Sequence, residues 1–123
     1  MSNHILDIER VRALNSYIFT EKYCHDSETR SACLKLPAYI LDNSLIEVLL
    51  FYKNNKEDIY DNINTYLIEN DYYSTSAHGN DILKFLINEE DLYTHLLIKN
   101  EILKYSNWLK RNAECFMVAD NND

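Results

Sequence analysis

One glycine (Gly79) and one proline (Pro37) in 123 residues constrain this chain more than any other feature. Sandwiches and barrels need many tight turns, and tight turns draw on glycine and proline. Helices need neither in their interiors, so the expected fold is all-α. The length suits one domain with a core of its own, and the 46% hydrophobic share is that of a globular protein. The expectation is a compact single-domain helical bundle of about five to six helices over residues 1–118. A long helix closes it, followed by a polar tail at 119–123.

The organising stretch runs from Glu28 to Tyr52. Its centre, Leu45 to Phe51, is apolar on nearly every side, and a helix apolar all round is buried all round. Ser44-Leu45-Ile46-Glu47 reads as a capping box, in which the Ser44 hydroxyl accepts from the Glu47 amide. A central helix is expected over about Leu45 to Tyr52.

The rest of the chain follows the same logic. Ile5, Ile8, Val11, Leu14 and Ile18 recur at helical spacing and predict the inner face of a helix from Asn3 to Lys22. On that reading Arg10, Arg12 and Glu21 are solvated. Asp26 or Ser27 caps a helix from Ser27 to Lys35, which Pro37 breaks or kinks before a fresh turn at Ala38 to Leu41. Ile59, Ile63, Tyr66 and Leu67 form the inner stripe of a helix from Asp58 to Ile68. Glu69 to Asn80 reads as a surface loop, and a short helix with Ile82, Phe85 and Leu86 comes next. The final helix, from about Glu90 to Phe116, keeps Ile98, Ile102, Tyr105, Leu109, Ala113 and Phe116 on its inner face.

The formal charge of -8 argues against binding free nucleic acid through overall charge, although local basic patches inside a larger assembly remain compatible with it. Cys24, Cys33 and Cys115 are an odd, scattered set rather than a disulfide framework, which suits a reducing compartment. The N-terminal residues lack the apolar core of a signal peptide, and no apolar run reaches the ~20 residues of a membrane helix. The expectation is a soluble cytoplasmic protein with no membrane partner.

Catalytic machinery is not readable. His4, His25, His78 and His95 fall on four different predicted elements, and no zinc-ligand spacing joins them to the cysteines. Glu57-Asp58 and Glu89-Glu90-Asp91 open predicted helices, where the helix dipole accounts for them. One glycine cannot build a phosphate loop, and no nucleophile motif is present. No cofactor or metal is implied. Surface histidines and buried free thiols are the plain alternative.

One helix face stands out. Lys104, Trp108 and Arg111 share a side of the final helix by their i, i+4, i+7 spacing. A tryptophan between two cations stacks on a base or docks a partner subunit; alternatively it covers part of the core while its neighbours are solvated. The 10 tyrosines, Tyr72 and Tyr73 among them, suit either a contact surface or rim packing.

Two segments together resemble one family, the small subunit of the type III-B CRISPR effector, also called the Cmr or RAMP-module complex. The first is Thr29 to Leu45, TRSACLKLPAYILDNSL, continuing through Leu49-Leu50-Phe51-Tyr52. It is similar to the family's basic helix, Leu-Pro step, Asn-Gly-Leu corner and apolar helix, with Ser44 in place of the glycine. The second is Trp108-Leu109-Lys110-Arg111-Asn112-Ala113-Glu114. It resembles the family's Trp-Leu-Lys-Arg-Phe-Ala-Glu signature, with Asn112 in place of the aromatic.

The resemblance implies a non-catalytic subunit. Copies of it would stack as a minor filament beside the subunits that hold the CRISPR RNA, and would stabilise the guide–target RNA duplex and the assembly in antiviral defence. Its partners would be other effector subunits, copies of itself, crRNA and target RNA. Arg30, Lys35, Lys110 and Arg111 lie in the matched segments and are the candidates for phosphate or subunit contact; Lys104 and Trp108 join them by helix geometry. Phosphate contact without base reading suits a complex programmed by a guide. Two other readings compete. One is a helical interaction adaptor unrelated to CRISPR. The other is a small metal-dependent hydrolase using His25, His78 and acids from other elements.

Overall fold

The computed structural model describes residues 4–73 and 79–116, with side chains described from residue 7 on. The fold is all-α, with six helices among the described residues: α1 (His4–Tyr23), α2 (Ser27–Asp42), α3 (Leu45–Asn55), α4 (Glu57–Glu69), α5 (Ile82–Asn88) and α6 (Leu92–Glu114). The long closing helix is present. His78 and the tail at 119–123 lie outside the described residues.

Helix starts follow the side-chain chemistry of the sequence. Asp26 caps α2, accepting from the Thr29 amide and hydroxyl, both at 2.9 Å. Ser44 caps α3, its hydroxyl accepting from the Glu47 amide at 3.1 Å. Asp81 caps α5, and Asp91 accepts from the Thr94 amide at 3.2 Å and its hydroxyl at 2.8 Å. Each carboxylate or hydroxyl satisfies an amide that a helix leaves open in its first turn.

The chain divides into two compact units. One comprises the residues up to Ala38 together with those from Lys104 on; the other is Tyr39–Leu103. In the Tyr39–Leu103 unit, α3 packs on α4 and α5. Leu45, Val48, Leu49 and Tyr52 of α3 are buried, as are Ile59, Ile63, Tyr66 and Leu67 of α4. The other unit contains α1, most of α2 and the C-terminal half of α6. Its core includes Phe19, Cys24, Cys33, Leu36, Tyr105 and Leu109.

Four expectations are corrected. Pro37 does not end a helix: it lies inside α2, which runs unbroken from Ser27 to Asp42. The proline removes one backbone hydrogen bond, but Cys33, Leu36 and Ile40 around it are at most 1% exposed. Burial of that face holds the helix through the gap. Secondly, α3 is not buried all round, because Leu50 and Phe51 are about half exposed. Thirdly, Tyr73, placed by its sequence in a surface loop, is buried and donates to Asn64 Oδ1 at 2.6 Å.

The fourth correction concerns α1. Of the expected inner face, Ile8, Leu14 and Ile18 are 39%, 49% and 55% exposed, Val11 is half-buried, and the Ile5 side chain lies outside the described residues. The buried face is instead Arg12, Ser16, Phe19 and Thr20. Ile8, Leu14 and Ile18 thus form an outward apolar stripe on α1, and Arg12, expected in solvent, is 6% exposed.

Candidate functional site

All six candidate residues fall in the unit that contains α1. At its centre, polar side chains join α1 to the end of α6. Trp108 donates its indole N–H to Glu9 Oε1 at 3.0 Å. Glu9 also accepts at 3.4 Å from Arg12, on the following turn of the same helix. Two turns of α1 further on, Asn112 donates to Ser16 Oγ at 2.7 Å and to the Ala13 carbonyl at 3.4 Å. The Ser16 hydroxyl in turn donates to the Arg12 carbonyl at 2.8 Å. Thr20 donates back to the Tyr17 carbonyl at 3.1 Å. No buried side-chain nitrogen or oxygen among the described residues lacks a partner, which is what allows a polar face to turn inward.

The structure separates the six candidates into two kinds. Arg30 is half-buried, and its Nε donates to the Ala113 carbonyl at 2.9 Å. That carbonyl lies in the last turn of α6, where a helix leaves acceptors open, so Arg30 anchors a helix end. Trp108 is also half-buried and held by Glu9. Lys35, Lys104, Lys110 and Arg111 are exposed. Arg111 places its guanidinium carbon 4.9 Å from the centre of the Trp108 ring, a cation–π contact. Lys104 lies two turns before Arg111 on the same side of α6. Lys110 points about 100° around the helix from Arg111, so it shares no face with that pair.

Sequence reasoning missed the residues that make this seam: Glu9, Arg12, Ser16 and Asn112. The signal was present in the Glu9/Arg12 i, i+3 pair and in the small hydroxyls Ser16 and Thr20 one turn apart. Asn112 stands where the resembled signature has an aromatic, and its amide is matched by Ser16.

The Tyr39–Leu103 unit has its own polar cluster. Asp81 accepts from Lys53 Nζ at 2.8 Å and from the Tyr60 hydroxyl. Burial would raise the Asp81 pKa, but the hydrogen bonds from Lys53 and Tyr60 and the lysine charge outweigh it and hold it below the usual 3.8. Burial, then the hydrogen bond to Asp81, pushes the Tyr60 hydroxyl far above its ordinary range. Burial and the Asp81 charge push Tyr73 up to about 12. Tyr66 donates to the buried Glu101 at 2.6 Å. These contacts tie α4 to the start of α5 and to α6. An open groove of about 300 Å³ lies in the same unit, walled by Tyr39, Phe51 and Tyr52 with Glu47 at its edge.

The histidines do not converge among the described residues. His25 packs edge-on against Phe116, with ring centres 5.6 Å apart. His95 Nε2 sits 2.7 Å from the Glu89 carbonyl, which only accepts, so that nitrogen carries the proton. No three His, Cys, Asp or Glu side chains among the described residues are grouped to hold a metal ion. Cys24 and Cys33 are buried thiols as expected, whereas Cys115 is exposed. No helix among the described residues is long and apolar enough to cross a membrane.

By its architecture this is a small all-α protein whose candidate site is a surface, assembled from residues of three helices within one unit, rather than a cleft. A family described as CRISPR-associated protein (Cas_Cmr5) matches residues 8–116. The chain belongs to that family, the small subunit of the type III-B CRISPR effector, the Cmr complex. No curated protein and no solved structure matches the chain. The match spans both units and includes both segments that carry the resemblance. Family membership sets aside the reading as an adaptor unrelated to CRISPR.

Proposed function

We propose that this chain is a non-catalytic structural subunit of a cytoplasmic Cmr ribonucleoprotein, in which copies of it stack as a minor filament. That filament stabilises the crRNA–target RNA duplex and the assembly during antiviral defence. The observation that carries the reading is the outward stripe of α1. Ile8, Leu14 and Ile18 are held in solvent while Arg12, Ser16 and Thr20 are buried. A helix that turns its apolar side to water has a surface for another protein to cover. Leu92, Tyr93, Leu96 and Leu97, exposed in the first turns of α6, give the other unit an apolar surface too.

In this reading the exposed cations Lys35, Lys104, Lys110 and Arg111 meet phosphates or neighbouring subunits, while Arg30 and Trp108 position them. With a net charge of -8, the chain adds local contacts to an RNA path that other subunits hold, since its overall field repels phosphate. Charge reversal at Lys104 and Lys110 leaves the Trp108–Glu9 seam intact and weakens RNA retention by the complex. The deciding experiment is a tagged pull-down from the native host, with the bound nucleic acid labelled and sequenced. Other Cmr subunits and guide RNA with a repeat-derived end are expected. Recovery of the chain alone, or without such RNA, overturns the proposal.

A further inference from the structure

Cys24 and Cys33 play no part in the surface just described, yet they form a site of their own. Both are fully buried, at 0% exposure, and their sulfurs lie 3.9 Å apart. Cys24 extends the last turn of α1, its amide donating to the Thr20 carbonyl at 2.9 Å. Cys33 is in the interior of α2, one turn after Arg30. The connection between the helices is only three residues long, so the two thiols face each other across a tight helical hairpin.

We propose that Cys24 and Cys33 are an oxidation site, at which a small hydroperoxide converts the two thiols into an intrachain disulfide joining the end of α1 to α2. Two thiols 3.9 Å apart have only to close to the sulfur–sulfur bond length of about 2.05 Å. The Cys24 sulfur attacks one peroxide oxygen and loses its proton; the O–O bond breaks, and the leaving oxygen takes a proton and departs as water from hydrogen peroxide or as an alcohol from an organic hydroperoxide. Cys24 is then a sulfenic acid. The Cys33 sulfur attacks the Cys24 sulfur, the S–O bond breaks, and the hydroxyl leaves as water with the Cys33 proton. Two thiols and one hydroperoxide give one disulfide, one water and one further water or alcohol, with two electrons moving from sulfur to oxygen.

The environment of the pair sets the order of attack. The hydrogen bond with Cys33 and then the Arg30 charge hold the Cys24 thiol below its ordinary value, against burial and Asp26. The same hydrogen bond and burial push the Cys33 thiol far above its ordinary range. In the proposed reaction the attack is assigned to Cys24, the thiol beside the Arg30 charge, and the resolution to Cys33, since the thiolate is the nucleophile. Full burial restricts the oxidant to a small molecule admitted by local opening of the hairpin. The bond encloses Arg30, and so fixes to α1 the segment of α2 that anchors the end of α6.

The test uses the full chain carrying Cys115→Ser, which removes the exposed thiol. It is treated with hydrogen peroxide, alkylated in denaturant and digested with trypsin without reduction. Cleavage after Arg30 separates the two cysteines, so a linked pair of peptides reports their disulfide. The expected result is joint loss of both free thiols, that linked pair, and a thermal midpoint that rises on oxidation and falls back on reduction. In the Cys33→Ser chain, Cys24 is expected to give a dimedone adduct. Both thiols alkylating as in untreated protein, or Cys24 over-oxidised with no linked peptide, overturns the proposal.

Discussion

Helices α1 and α4 look alike in sequence and behave oppositely in the structure. Each carries isoleucines and leucines three or four residues apart, the pattern of one apolar face. In α4 that face is inside: Ile59, Ile63 and Leu67 are at most 1% exposed. In α1 it is outside, with Ile18 55% exposed. Periodicity locates a face but does not say which way it points. The direction is decided by whether the opposite face can be satisfied without water. In α1 it can: Ser16 and Thr20 return their hydroxyls to their own helix, Arg12 has Glu9, and Asn112 closes the seam. The residues of α4 that face away from its core, such as Asp61 and Thr65, remain exposed.

The sharpest way to break this comparison is truncation on both helices. Leu67→Ala in α4 is expected to cost about 2–5 kcal/mol of unfolding free energy, the range for a buried leucine. Urea denaturation of the isolated chain measures it, and a loss under about 1 kcal/mol would put α4 in the same class as α1. Next in size is the inner face of α1. Ser16→Ala removes the nearer acceptor of the half-buried Asn112 amide, leaving it the 3.4 Å contact to the Ala13 carbonyl, and is expected to cost about 1 kcal/mol. The double change Ser16→Ala with Asn112→Ala should recover part of that loss, and no recovery would remove the seam as the reason α1 is inverted.

A smaller effect is expected from the polar cluster of the Tyr39–Leu103 unit, where the side chains are partly exposed. Asp81 is held below its unfolded value, so it adds stability above pH 3.8 that is lost as the pH falls through its lower folded value. Asp81→Asn should flatten the acid limb of the stability curve below pH 4, in a pH series of thermal midpoints. Equal slopes in both chains would show that the hydrogen bonds from Lys53 and Tyr60 do not bias the titration. Least of all, Leu14→Ser with Ile18→Ser should change the stability of the isolated chain by within about 0.5 kcal/mol. The same pair is expected to reduce recovery of the chain with its effector partners, and unchanged recovery would mean the outward stripe is not a contact.

The sequence disclosed the all-α class through its scarcity of glycine and proline, and it disclosed helix starts through residues such as Ser44 and Asp26, because a cap acts on amides two or three positions away. It disclosed the apolar faces of α4 and α6 through their spacing, and in both helices that face is the buried one. What it hid depends on contacts between distant residues. Pro37 stays helical because Cys33, Leu36 and Ile40 are buried around it. Tyr73 enters the core because Asn64, nine residues earlier, receives its hydroxyl. Of the candidate site, the family and the Lys104–Trp108–Arg111 face were legible. That Trp108 is held by Glu9, 99 residues away in the chain, was not.

The inverted helix also bears on supply. A copy whose partners are absent keeps Leu14 and Ile18 in water, and such stripes are what chaperones and proteases capture. In the function proposed above, surplus copies are expected to be cleared faster than assembled ones, so that their number follows the number of assemblies ready to receive them. On that reading one stripe has two uses: it seats a copy in its complex, and it marks an orphan for clearance.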